Sequence, residues 1–264
     1  LDDIDTLLAK LKVDTSVAPV TRFFKGGTSE AVARFERFIE ERLPHYDAHS
    51  NQPQTDDVSN MSPYLHFGQI SPLYLAHRIG QVPTKRAGQA NIDAYLEQLI
   101  VRRELAINFV SYREDYDSYT VIPEWARQRL TKHAADTRDP CSTLAQLEKA
   151  QTHDEYWNAA MLEMVHTGFM HNYMRMYWGK KIIEWSPSPQ EAFKRTLYLN
   201  NKYFLDGRDP NSYASVAWLY GVHDRGWPQR PIFGKVRYMA ASGLERKCDI
   251  KAYVRKVKSR ANLQ

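Results

Sequence analysis

Met170-His171-Asn172-Tyr173-Met174-Arg175-Met176-Tyr177-Trp178-Gly179-Lys180-Lys181-Ile182-Ile183-Glu184-Trp185 contains no proline and no alternating strand pattern, and it reads at a helical period from end to end. Trp178 and Trp185 stand seven apart, so they project from nearly one face, roughly 10 Å apart along the axis. His171, Arg175 and Trp178 share one side of this helix, and Asn172 and Met176 share the neighbouring one. Outward in both directions the same period continues. Residues 153 to 166 predict a preceding helix that carries Trp157 and joins through Gly168, and residues 188 to 203 predict a following one. Farther out, Val32, Phe35, Phe38, Ile39 and Leu43 make the apolar stripe of a helix over 28 to 43, ended by Pro44. A polar loop follows from 47 to 60. Tyr95, Leu99, Ala106 and Phe109 share a face of a long helix over 91 to 113, and 123 to 135 predicts another. Residues 205 to 211 form a break rich in Gly, Asp and Pro. A short helix with Trp218, an irregular stretch over 221 to 234 and final basic helices complete the chain. With no internal repeat, low-complexity tract or linker, residues 1–264 read as a single all-α domain.

The 264 residues suffice for a core without staples, and 43% hydrophobic with 25% charged residues excludes a disordered or fibrous chain. No apolar run approaches the ~18 residues of a membrane span, so a soluble protein with no membrane partner is expected. Cys141 and Cys248 match no metal-ligand spacing, which predicts no metal site and a reducing, intracellular compartment. The charge is uneven. Residues 225 to 264 hold eleven Lys or Arg against Glu245 and Asp249, a net of +9, which leaves the remainder at −4 of the total +5. Such a segment is either a polyanion-binding face or a solvated tail. Trp227, Phe233 and Tyr238 interleave with Arg225, Arg230, Lys235 and Arg237, the mixture that holds phosphates while stacking on bases.

Three constellations could carry chemistry. Trp157, Trp178 and Trp185 are either plain core or a row of indoles that passes electrons to a redox cofactor. Arg175, among so many aromatics, needs an acidic partner or an anionic ligand, and Asp206 is the best candidate for a structural ion pair. Ser59-Asn60-Met61-Ser62 leads into a helix with Pro63 in its first turn; the free N–H groups and hydroxyls suit a phosphate or a plain cap equally. No Gly-rich dinucleotide or P-loop fingerprint is present, so any nucleotide is held in another way.

Ser62-Pro63-Tyr64-Leu65-His66-Phe67-Gly68-Gln69-Ile70-Ser71-Pro72, Leu99-Ile100-Val101-Arg102-Arg103-Glu104-Leu105-Ala106, the run 170 to 181, Leu205-Asp206-Gly207-Arg208-Asp209-Pro210-Asn211 and Gly234-Lys235-Val236-Arg237-Tyr238-Met239 occur in this order. Together they resemble the flavin-binding half of class II cyclobutane pyrimidine dimer photolyases, in the photolyase/cryptochrome family. The resemblance spans about Arg22 to Tyr253. It implies a helical FAD-binding catalytic domain, monomeric, acting on double-stranded DNA that contains pyrimidine dimers. It also implies an N-terminal α/β antenna domain with its own pigment, which has no counterpart in this sequence: it is removed, it is a separate chain, or this is a truncated relative. Residues 1–21 would be the remnant of the connection to it.

By this resemblance Tyr46, Ser59, Asn60, Met61 and Ser62 would hold the FAD phosphates. Arg102 would lie along the flavin, Arg175 and Asp206 would flank its polar edge with Asn172 nearby, and Asn200 or Asn211 would face N5, with Asn200 preferred. Trp157, Trp178 and Trp185 would carry electrons. Gln98, Asn172, Met176 and Trp218 would contact the flipped dimer, while Arg225, Trp227 and Arg237 would brace the gap in the duplex. Gln98 stands where the family usually has a carboxylate. It can donate and accept a hydrogen bond but carries no charge, a departure that favours a cryptochrome-like photosensor as the rival reading. A flavin-free DNA-binding module is the other.

Overall fold

The computed structural model describes residues 4–261 and is helical almost throughout. After α1 (Ile4–Lys10) an irregular stretch leads to α2 (Thr28–Glu41), then the short helices α3 (Tyr46–His49) and α4 (Ser62–His66). α5 (Pro72–Gly80), α6 (Thr84–Ala87) and α7 (Gln89–Leu96) follow, and a π-helical segment, Glu97–Arg102, runs without a break into α8 (Arg103–Ser111). α9 (Glu124–Lys132), α10 (Leu144–Glu148), α11 (Glu155–Thr167), α12 (Asn172–Trp185) and α13 (Pro189–Tyr203) come next. α14 (Pro210–Leu219), α15 (Ala241–Lys247) and α16 (Ile250–Ala261) end the described chain. Among the described residues the sole β pairing is an isolated bridge between Arg230 and Gly234. The residues expected to be an interdomain remnant comprise α1 and the extended stretch after it, with Leu1 to Asp3 outside the described residues.

Local chemistry sets the helix starts. Asp154 accepts the Trp157 amide (2.9 Å), Ser188 that of Glu191 (3.1 Å), Asp209 that of Asn211 (2.9 Å), and His171 Nδ1 that of Tyr173 (3.2 Å). Each cap satisfies an amide that the first helical turn leaves without a partner. Two expectations are corrected. Pro44 does not simply end a helix: α2 stops at Glu41, and Pro44 sits in a 3₁₀ turn, Leu43–His45, that feeds α3, so the loop expected from Asp47 starts after His49. The long helix expected over 91 to 113 runs from Gln89 to Ser111 and widens into a π segment, an insertion that often marks functional positions. Gln98 and Arg102 both lie in it.

The apolar side chains form two clusters. Phe35, Phe38, Tyr46, Met61, Tyr64, Tyr95 and Leu99 belong to the first, built from α2 to α7 and the start of the π segment. The second runs from Phe109 to Val257 and contains Trp157, Trp178 and Trp185. The helix from Gln89 to Ser111 therefore begins in one core and ends in the other.

α12 and α14 approach closely at Gly179, where an added Cβ would meet Leu219 Cδ1 at 2.2 Å and Cδ2 at 3.1 Å. Alanine favours a helix by about 1 kcal/mol over glycine, whereas overpacking a filled core costs about 1–3 kcal/mol. With an overlap this deep the steric cost wins, so Gly179→Ala is expected to lower unfolding free energy, by up to about 2 kcal/mol. Denaturant titration checks it, and a stabilised variant would mean that Leu219 swings aside.

Candidate functional site

Three indoles meet in the second core. Trp157 and Trp178 are stacked with ring centroids 6.5 Å apart and an interplanar angle of 11°, and Trp185 meets Trp157 edge-on at 5.8 Å. The row therefore runs Trp178, Trp157, Trp185, because α11 inserts its indole between the two that α12 carries. All three are at most 3% exposed. Trp157 Nε1–H donates to the Trp178 carbonyl at 2.9 Å, which locks the first pair; Trp178 Nε1 is buried without a hydrogen-bond partner.

The inner end of this row reaches a charged pair through one aromatic ring. Phe204 lies 6.3 Å from Trp178 and 3.7 Å beneath the Arg175 guanidinium, and Arg175 donates to both Asp206 carboxylate oxygens at 2.9 and 3.1 Å. Arg175 Nε–H also donates to the Met170 carbonyl. The structure thus joins Arg175 to Asp206, as the sequence suggests, and adds Phe204, which carried no distinguishing signal. Asn200, 4% exposed, pairs its amide with the Ser212 hydroxyl at 3.1–3.2 Å, whereas Asn211 is half-buried and donates to Asp209. Asp209 also faces His66 Nδ1 at 3.3 Å and Arg103 at 3.7 Å, which ties α4 and α8 to the start of α14. Of the arginine pair, Arg103 points to this cluster; Arg102 is 60% exposed and paired with Glu97 at 3.0 Å.

On the other side, Tyr46 packs on Tyr95 (5.4 Å) in the first core, and burial pushes the Tyr46 phenol up to about 12. Tyr95 is hydrogen-bonded to Ser59, so Tyr46 and the Ser59–Ser62 run are neighbours through that ring. Ser59 Oγ accepts the Met61 amide at 3.4 Å, Met61 is buried, and Ser62 opens α4. Asn60 holds a left-handed φ of 55°, and its buried Oδ1 has no partner. An unsatisfied buried amide oxygen calls for a donor such as a sugar hydroxyl, and the serine hydroxyls beside it can donate to phosphate oxygens, the two kinds of group a nucleotide cofactor presents. Along the π segment and α8, Ile100, Val101 and Leu105 are 43–49% exposed beside the exposed Gln98 and Arg102. That surface suits a flat apolar ring with polar edges. The residues present therefore fit FAD.

A third grouping gathers around Asp224. Its carboxylate accepts from the Arg225 amide (2.9 Å), Trp227 Nε1 (3.3 Å) and Arg237 Nη2 (3.3 Å), and Arg237 Nε lies 3.2 Å away. Arg237 in turn covers Trp227 at 4.2 Å and Trp218 at 5.3 Å, and Arg225 lies 5.6 Å over Trp227. Trp218, Arg225, Trp227 and Arg237 are thus one assembly, and its organiser is the carboxylate just before the +9 segment. Sequence reading passed over Asp224 because the charge count began one residue later. Part of the basic segment is paired internally: Arg237 with Asp224, Lys258 with Glu155, and Lys256 and Arg260 with Asp56. Arg225, Arg230, Lys235, Arg246, Lys247, Lys251 and Arg255 remain exposed. Asn172 is also exposed and Met176 half-buried. Two surface clefts, of about 340 Å³ beside His153 and Lys258 and about 620 Å³ beside Lys194 and Arg208, contain none of the expected site residues.

No family model matches the sequence. The chain is 54% identical over 235 residues to the deoxyribodipyrimidine photo-lyase of Methanothermobacter thermautotrophicus, covering 89% of this chain and 51% of that protein. It is 44% identical over 262 residues to the protein of that name from Oryza sativa, covering 97% and 51%. Among solved structures it resembles a class III photolyase from Agrobacterium tumefaciens (TM-score 0.70, 18% identity, 90% of this chain and 46% of that one). A Synechocystis cryptochrome gives a TM-score of 0.64 at 15% identity, over 95% and 46%. These likenesses define the all-helical domain shared by photolyases and cryptochromes. The chain shares that fold and is similar in sequence to proteins named deoxyribodipyrimidine photo-lyase, and it spans about half the length of the curated relatives it matches.

Lys180 lies beneath Trp218. It is fully buried, donates to the Leu219 carbonyl and sits 5.5 Å from the Trp218 ring. Burial, aided by Arg237 and opposed by Asp224, lowers its pKa from 10.5 to about 7. Between those values the unfolded chain binds the extra proton, so stability rises with pH from about 7 toward 10 and is flat below 7 on this group's account. Urea midpoints at pH 7 and pH 9.5 are expected to differ less in Lys180→Met than in the parent; an unchanged difference would remove Lys180 as the titrating group.

Proposed function

We propose that the chain is the FAD-binding catalytic half of a class II photolyase that splits cyclobutane pyrimidine dimers in DNA with light. The observation that carries this reading is the continuous path Asp206, Arg175, Phe204, Trp178, Trp157, Trp185, which joins a charged pair suited to a flavin's polar edge to a buried row of oxidisable rings. The relatives named deoxyribodipyrimidine photo-lyase support it. Bound and reduced, FAD supplies the electron that opens the dimer.

This chain's residues supply geometry. Tyr46 and Ser59, Asn60, Met61 and Ser62 hold the phosphates; Arg175 and Asp206, with Asn200, Asn172 and Arg102, hold the ring and set its electrostatics. Trp178, Trp157 and Trp185 restore the reduced cofactor by passing electrons toward it along the buried row. Gln98, Asn172, Met176 and Trp218 receive the flipped dimer, whose extrusion costs a few kcal/mol. Arg225 and Arg237 contact phosphates while Trp227 occupies the vacated space. Gln98 gives the lesion hydrogen bonds without charge, and this favours a photosensor as the second reading.

The deciding experiment is an absorption spectrum of the purified protein, then illumination of the fully reduced protein with a dimer-containing oligonucleotide. Flavin bands with dimer loss are expected; flavin bands without any dimer loss, even after Gln98→Glu, would leave the photosensor. Trp178→Phe should abolish or strongly slow photoreduction of oxidised flavin, since phenylalanine is much harder to oxidise, while repair by chemically reduced protein persists. Photoreduction at the parent rate would break the row.

On DNA the two arginines should differ. Arg225→Ala should lower the salt slope of duplex binding by about one. Arg237→Ala should lower it by less, because Asp224 already neutralises that charge. Trp227→Ala should weaken dimer-containing duplex more than undamaged duplex, by roughly 1–3 kcal/mol. Equal slopes for the two arginine variants would contradict the pairing.

A further inference from the structure

The last helix is amphipathic in an unusual way. Ile250, Tyr253, Val254 and Val257 bury one side of α16, which packs on α11, while Lys256 and Arg260 turn toward the loop between α3 and α4. Lys256 Nζ donates to the Pro53 carbonyl (2.5 Å), the Thr55 carbonyl (3.1 Å) and Asp56 Oδ1 (3.1 Å), which uses all three ammonium protons. Arg260 donates to Asp56 Oδ2 at 2.7 Å, and Gln52 donates to the Lys247 carbonyl at 3.1 Å. The base of the loop is closed by His49 and Asp57 at 2.5 Å. Tyr46 lies just before this loop, and Ser59 to Ser62 just after it. Arg260 also lies 3.7 Å from the buried Glu163, which accepts from Tyr253 Oη (2.7 Å) and from the amide of His171, the cap of α12.

We infer that α16 is a clasp on the segment that carries the cofactor-phosphate contacts, with Lys256 and Arg260 as positioning residues for cofactor retention. The inference rests on the FAD reading above. The loop's own core contact is slight: of residues 50 to 58, Pro53 alone is buried. Its tip is held by charge-assisted hydrogen bonds to a helix of the other core, and releasing them frees both ends of the phosphate-binding segment to move. Basic residues that sequence reading assigns to a polyanion are thereby spent on an internal carboxylate and two carbonyls.

The test uses the full chain reconstituted with FAD, comparing the parent with Lys256→Met/Arg260→Met, with Asp56→Asn, and with Lys258→Met. Lys258 is an exposed control on the same helix. Two readouts are taken: the rate of flavin release after dilution, followed by fluorescence, and the rise in melting temperature that FAD produces over apoprotein. A brace that is merely structural lowers apo and holo melting together and leaves the FAD-induced rise intact. For a clasp, release should be roughly tenfold faster in the double variant and faster also in Asp56→Asn. The FAD-induced rise should shrink in both, the conservative Lys256→Arg should retain flavin nearly as the parent does, and Lys258→Met should match the parent. If the double variant does not fold, Asp56→Asn decides, because that side chain is 46% exposed. Parent-like release and an undiminished FAD-induced rise in Asp56→Asn would overturn the clasp. A parent protein that shows no FAD-induced rise would overturn the cofactor reading itself.

Discussion

Two apolar cores meet across a polar seam, and a few buried or half-buried charges hold that seam closed. Asp209 is the central one: it caps α14, faces His66 from α4, and lies within reach of Arg103 from α8. A carboxylate only 4% exposed is tolerable because these donors replace the water it has lost. With the helix from Gln89 to Ser111 and the bonds of α16 to the α3–α4 loop, Asp209 ties the two clusters together. The π segment in the middle of that long helix releases the strict i to i+4 ladder where the helix crosses from one core to the other.

The aromatic content gains meaning from this arrangement. Most rings fill the cores, but Phe204 and Trp178 stand where the second core meets the charged pair Arg175–Asp206. Charged groups that contact rings recur around Asp224, where Arg237 lies over two indoles while tied to that carboxylate. In both places a carboxylate fixes the guanidinium's orientation, and the ring beneath fixes its height. The two sites share a construction and differ in exposure, one at the seam and one open to solvent.

Much of this was legible in the sequence, for identifiable reasons. The 3.6-residue period marks α2 and α13 because their apolar stripes face a core, whereas α12 is buried nearly all round and reads as helix from its unbroken run without proline; Arg175 with Asp206 was recoverable from the cost of leaving a guanidinium unpaired among aromatics. The order of the indoles was not legible, since spacing within α12 says nothing of what α11 inserts between Trp178 and Trp185. Nor was the division of the basic residues into free and paired: Lys256 meets Asp56 across a separation of 200 residues, which no local pattern encodes. Arg102 and Arg103 look equivalent as letters. Successive helical residues point about 100° apart, and here it is Arg103, not its neighbour, that faces Asp209.

The bonding of the indole nitrogens sets where acidity can be relieved. An indole that loses an electron becomes a far stronger acid and holds its proton only while no base can receive it. Trp178 Nε1 faces no acceptor, and Trp157 Nε1 faces a backbone carbonyl, which does not take a proton. Trp185 differs, for the exposed imidazole of His153 packs edge-on against it at 4.8 Å. Though equally buried, the three indoles therefore have different neighbours: none for the Trp178 nitrogen, a carbonyl for that of Trp157, and an exposed imidazole against the Trp185 ring.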